Sequence, residues 1–119
     1  KGEFNLSSNL KEEIFIKDIE GPLFFGSSSN FNQTAKQIPL SVSILIIRLK
    51  KVPYIDQSGL YALESVINDL ILKDKRVFLV GLNDQPKDLM EKANIIPNLI
   101  PREQIFDDFE SSLLSIKSF

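Results

Sequence analysis

The chain has 119 residues, 43% hydrophobic and 25% charged, with a formal net charge of −2; that suits one domain with a self-sufficient core and argues against general nucleic-acid binding, which needs a cationic surface. It contains no cysteine and no histidine, which excludes disulfides, thiolate metal sites and every catalytic arrangement built on an imidazole base. We therefore expect a non-catalytic protein with no metal site.

In chain order, residues 1–11 read as a polar leader, because Ser7-Ser8-Asn9 opposes regular structure. Ile14, Phe15 and Ile16 suit a strand over Glu13–Ile19, and Glu20-Gly21-Pro22 is turn chemistry. Leu23-Phe24-Phe25 then makes a second short strand, so a hairpin is expected. Phe31, Ala35 and Ile38 follow at i, i+4, i+7, the spacing of a short helix that Pro39 ends. Val42–Leu49 is apolar on both faces, as a strand covered on each side would be. Leu60, Leu63, Ile67, Leu70 and Ile71 mark the inward face of a helix running to about Leu72. Lys73, Lys75 and Arg76 fall at or beyond its carboxyl end, where cations favour the helix dipole.

Val77–Val80 is the next strand, closed by Gly81. Asn83 or Asp84 can cap a further helix with Pro86 in its first turn and Leu89, Met90 and Ala93 inward. Asn94–Pro101 is a connection with room for one more short strand, and Ile105, Phe109, Leu113 and Ile116 stripe a final helix. Helices regularly separate strands, which predicts an α/β sandwich whose later strands run parallel through helical crossovers. No repeat, low-complexity tract or internal linker divides the chain.

Chemistry concentrates at Asp56-Gln57-Ser58-Gly59, between a buried strand and a helix. Ligands of parallel α/β sheets collect at the carboxyl ends of strands. The first turn of a helix adds unpaired N–H groups and partial positive charge. The turn supports two readings. Asp56 or Ser58 caps the helix, or the loop receives a phosphate, bound or attached to the Ser58 hydroxyl. Both hold together if the capping serine is the modified one. Lys50 and Lys51, taken with Lys73, Lys75 and Arg76, read as solvated charges or as a patch facing an anionic headgroup or a nucleotide phosphate. The chain contains no Walker-type loop and no Gly-x-Gly-x-x-Gly, so nucleotide binding has no motif support and no cofactor is expected.

The run Val52-Pro53-Tyr54-Ile55-Asp56-Gln57-Ser58-Gly59-Leu60-Tyr61-Ala62-Leu63 resembles the signature of STAS domains, found in sulfate-permease-type (SulP) anion transporters and in bacterial anti-sigma factor antagonists. Arg76-Val77-Phe78-Leu79-Val80-Gly81-Leu82 resembles the strand that follows the signature helix, and the similarity extends from about Ile14 to Ile116. It implies a STAS-type sandwich with a mixed sheet of about four or five strands and about four helices. The domain is expected over residues 12–119, with 1–11 a leader or a linker from an upstream membrane region. The absence of an initiator methionine suits a domain cut from a membrane protein.

Gly21-Pro22-Leu23-Phe24-Phe25 resembles the transporter branch, whereas antagonists more often carry a Gly-x-Leu-Asp type segment there. Phe24 and Phe25 either pack against the sheet or form an aromatic patch that docks on another protein. The resemblance implies a cytoplasmic regulatory domain at the inner face of the membrane. Its expected partners are the transmembrane domain of the same transporter, a second protomer in the full-length protein and a soluble protein, but not nucleic acid. The alternative is a free-standing antagonist-like phospho-switch. Ser58 falls on the serine that a partner kinase phosphorylates in antagonists, with Gln57 where they often have another serine. Some relatives have been proposed to bind nucleotides.

Overall fold

A computed structural model describes residues 14–21, 38–39 and 41–117. The polar leader, the expected Leu23–Phe25 strand with Phe24 and Phe25, and the segment carrying Phe31 and Ala35 lie outside the described residues. The element order is β1 (Ile14–Glu20), β2 (Ile44–Lys51), α1 (Gln57–Leu72), β3 (Arg76–Val80), α2 (Asp84–Lys92), β4 (Ile105–Phe106) and α3 (Phe109–Lys117). Among the described residues, four strands form one sheet in the order β1-β2-β3-β4, and each neighbouring pair is parallel. The antiparallel member of the expected mixed sheet falls on the undescribed Leu23–Phe25.

β2 is covered on both faces, and its alternation assigns each side chain to a layer. Leu45, Ile47 and Leu49 pack with Val77 and Leu79 of β3 and with Leu60, Leu63, Ile67 and Leu70 of α1. Ile44 and Ile46 point the other way, with Phe78, Val80, Leu113 and Ile116. A one-residue slip in register would move every one of these side chains to the wrong layer. The register Ile44↔Arg76 through Arg48↔Val80 is therefore held by burial as well as by hydrogen bonds.

Four expectations are corrected. Ile71 is 36% exposed rather than inward: it lies at the edge of the stripe, one residue from the carboxyl end of α1. Ala93 is exposed, since it follows the last turn of α2. The additional strand falls on Ile105–Phe106, where the final helix was expected to begin, so Ile105 is a strand residue and α3 starts at Phe109. The Asn94–Pro101 connection instead forms an irregular turn that buries Ile95, Ile96 and Ile100, with a cis bond at Ile96–Pro97.

The cations are corrected as well. Arg76 pairs with Ile44 at the amino end of the parallel sheet, whereas Lys50 and Lys51 lie at its carboxyl end, so they form no common patch. Lys75 is not solvated. It is 6% exposed, and its ammonium donates to the Val42 carbonyl and, at 3.4 Å, to that of Pro39. A buried lysine is costly unless its donors are met, and here it ties the α1–β3 turn to the approach of β2.

Candidate functional site

The chain leaves β2 through a loop anchored by alternate residues. Val52 and Ile55 are fully buried while Pro53 and Tyr54 face solvent. The Val52 N–H donates back to the Leu49 carbonyl at 3.0 Å. Asp56 follows in an extended conformation and caps α1, its Oδ1 accepting from the Gly59 N–H at 2.7 Å. The Leu60 N–H donates to the Asp56 carbonyl at 2.8 Å, which starts the helical ladder.

Of the two candidate caps, Asp56 is therefore the one in use. Gln57 is the first helical residue and exposed, Ser58 is half-buried in the first turn, and Gly59 is buried against the core. Among the described residues, the Ser58 hydroxyl and the N–H groups of Gln57 and Ser58 take no hydrogen-bond partner. A phosphoryl group on Ser58 would lie beside those free donors at the positive end of α1.

The loop is also held from outside by two residues that the sequence reading did not assign this role. Gln85 makes a reciprocal pair with Ile55: its Oε1 accepts from the Ile55 N–H at 2.9 Å and its Nε2 donates to the Ile55 carbonyl at 3.1 Å. Asn83 Nδ2 donates to the carbonyls of Lys50 at 3.0 Å and Val52 at 2.8 Å. Asn83 occupies the cap position of α2 yet makes no side-chain cap bond, because its amide is turned toward β2. The only sequence signal was two amides spaced by one residue at a helix start, which reads locally as capping.

Gly81 allows this approach. Its φ is +74°, and a Cβ there would lie 3.2 Å from that of Lys50. A side chain at this position would be both strained and crowded.

Farther along the carboxyl edge of the sheet, Arg48 of β2 donates from Nε and Nη2 to the two carboxylate oxygens of Asp18 of β1 and stacks over Phe109 with its Cζ 4.8 Å from the ring centroid. The hydrogen bond from Arg48 holds the Asp18 carboxyl below its ordinary range. Asp108 caps α3 by accepting from the Ser111 N–H at 2.8 Å, and that bond lowers its pKa as well.

A family model for the STAS domain matches residues 5–112. The chain belongs to the STAS domain family. This STAS domain is 32% identical over 90 residues to the putative sulfate transporter YvdB of Bacillus subtilis; the match covers 75% of this chain and 17% of that protein. It is similar to the structure of a SulP transporter STAS domain from Vibrio cholerae, with a TM-score of 0.76, 29% identity, and coverage of 89% of this chain and 82% of that one. The anti-sigma factor antagonist SpoIIAA in its unphosphorylated form superposes with a TM-score of 0.69 over 91% of each chain at 11% identity, which establishes a shared fold and nothing more. Among the described residues of this STAS domain, no helix is long and apolar enough to cross a membrane.

Proposed function

We propose that this STAS domain is a non-catalytic regulatory and interaction domain of a SulP-type anion transporter, lying at the cytoplasmic face of the inner membrane. The reading rests on one contrast: the same fold is shared at 29% identity with the SulP transporter domain but at 11% with the antagonist. Residues 12–119 form the regulatory unit and 1–11 connect it to the membrane part. Its action is mechanical. Contacts with the transmembrane domain, with a second protomer or with a soluble protein shift the balance of transport conformations, by as much as those contacts differ between the states.

The outer face of α1 suits such contacts. Tyr61 is 60% exposed and Leu72 is 83% exposed; eleven residues apart, they fall on nearly the same side of the helix. The test is anion flux in vesicles carrying the full-length protein. Tyr61→Ala with Leu72→Ser is expected to change flux at least about twofold while the isolated domain keeps its unfolding free energy in urea within about 0.5 kcal/mol. Unchanged flux would sink the reading. The reading frame upstream of Lys1 offers a second check: it is expected to encode several segments of ~20 apolar residues.

A phospho-switch at Ser58 is the second reading, favoured by its unpartnered, half-exposed hydroxyl. Phosphorylation adds roughly two negative charges where the helix dipole tolerates them, so it alters a partner's contact without melting α1. Mass spectrometry of protein from its native host tests this. Ser58 unmodified under every growth condition tried removes the switch.

A further inference from the structure

The carboxyl ends of all four strands open into one cavity of about 510 Å³, which Asp56, Gln57, Ser58 and Gly59 do not line. Its size falls within the ~300–1,000 Å³ typical of small-molecule pockets, and its place is where parallel α/β sheets bind ligands. Its wall combines apolar surface from Ile19, Val80, Leu82 and Phe109 with charges of both signs.

Most of those charges are committed within the protein. Asp18 is held by Arg48, Asp108 caps α3, and Lys51 faces Glu20 at 3.6 Å. Lys50 and Asp107 remain, one cation and one anion, and among the described residues neither side chain has a partner. A phosphate-like dianion entering here would meet the carboxylates of Asp107 and Asp108. A divalent cation would meet Arg48, Lys50 and Lys51, and the described residues hold no acidic cluster able to ligate one. A ligand with one ammonium, one carboxylate and an apolar body escapes both conflicts.

We propose that this cavity binds a small zwitterion of the aliphatic α-amino acid class. Its carboxylate pairs with Lys50, its ammonium with Asp107, and its side chain lies against Ile19 and Leu82. The site shares no lining residue with Asp56–Gly59 and does not require the transporter reading.

The test is a nitrogen–proton NMR titration of the 119-residue chain with L-leucine, using isovalerate, isoamylamine and inorganic phosphate as controls. Saturable shifts at the amides of Gly81, Leu82 and Asn83 are expected with leucine. The two monopolar analogues and phosphate are expected to bind at least about tenfold more weakly, the loss of one charge-assisted pair. Lys50→Met and Asp107→Asn are each expected to weaken leucine binding by a similar factor, with core resonances of α1 reporting that the fold is kept. The absence of saturable shifts overturns the proposal. So does phosphate or isovalerate binding as tightly as leucine, a comparison that uses the wild-type chain alone and needs no variant to fold.

Discussion

Helices α1 and α2 both begin just past the carboxyl end of a parallel strand, but their starts are organised in opposite ways. Asp56 turns its carboxylate inward to its own helix and accepts from the Gly59 N–H. Asn83, in the equivalent position of α2, turns away from its helix and bonds to carbonyls at the end of β2. One start is local and the other is tertiary. The difference follows from packing: among the described residues, the amides of Asn83 and Gln85 bond to backbone groups of Lys50, Val52 and Ile55 in the loop before α1, and burying such groups unpaired would be costly. The first turn of α2 supplies the missing partners, so the loop bearing Ser58 owes its shape to α2 as much as to α1.

The contrast is broken most readily by removing the tertiary start. Asn83→Ala combined with Gln85→Ala is expected to lose about 2–4 kcal/mol in urea unfolding, since four hydrogen bonds to the loop backbone disappear, three of them partly buried. A loss below about 0.5 kcal/mol would show that the amides merely decorate the loop. Lys75 stitches the opposite end of the sheet in the same long-range manner, through the carbonyls of Val42 and Pro39. Lys75→Met keeps its aliphatic stem but leaves those acceptors unmet, with an expected cost of about 1–3 kcal/mol by the same measurement.

The local starts should be less costly to disturb. Asp56→Ala is expected to cost about 1 kcal/mol, and Asp56→Asn only a few tenths, because either side chain accepts from the first turn. Equal losses for the two variants would mean that the charge matters more than the hydrogen bond.

The smallest expected effect is at Asp108, the cap of α3. The Ser111 bonds lower its pKa from the ordinary 3.8. Its contribution is therefore complete above that ordinary value and is lost as pH falls through the lowered one. The protection of α3 amides, taken relative to their intrinsic exchange rate at each pH, is expected to fall below about pH 4, while Asp108→Asn removes that dependence. An acid response that is identical in the variant would assign it to another carboxylate.

The two starts also separate what could be read from the chain. A cap for α1 was legible as Asp56 or Ser58, four and two residues before Leu60, and the structure uses Asp56. The layers of β2 and β3 were legible for a similar reason: continuous apolar runs such as Ile44–Ile47 and Val77–Val80 have to be buried on both faces. The role of Asn83 was not legible, because an amide beside a helix start looks like a cap whichever way it turns, and its acceptors lie 31 and 33 residues away. Ile105 shows the same limit. It continues the helical spacing of Phe109, Leu113 and Ile116, but pairing with Leu79 at the sheet edge draws it into a strand instead. Lys75 looked like a helix-end cation until the approach to β2 placed carbonyls over it.

The order of residues alone determined most of the alternation of strands and helices, most of the side chains that form the core and the Asp56–Gly59 junction, because each rests on spacing or on contacts a few residues apart. Tertiary structure decided which amide braces which loop, which lysine is buried and which charges at the strand ends remain uncommitted. Those outcomes depend on groups some thirty residues apart being brought within 3 Å, a proximity that only the packed, parallel sheet creates.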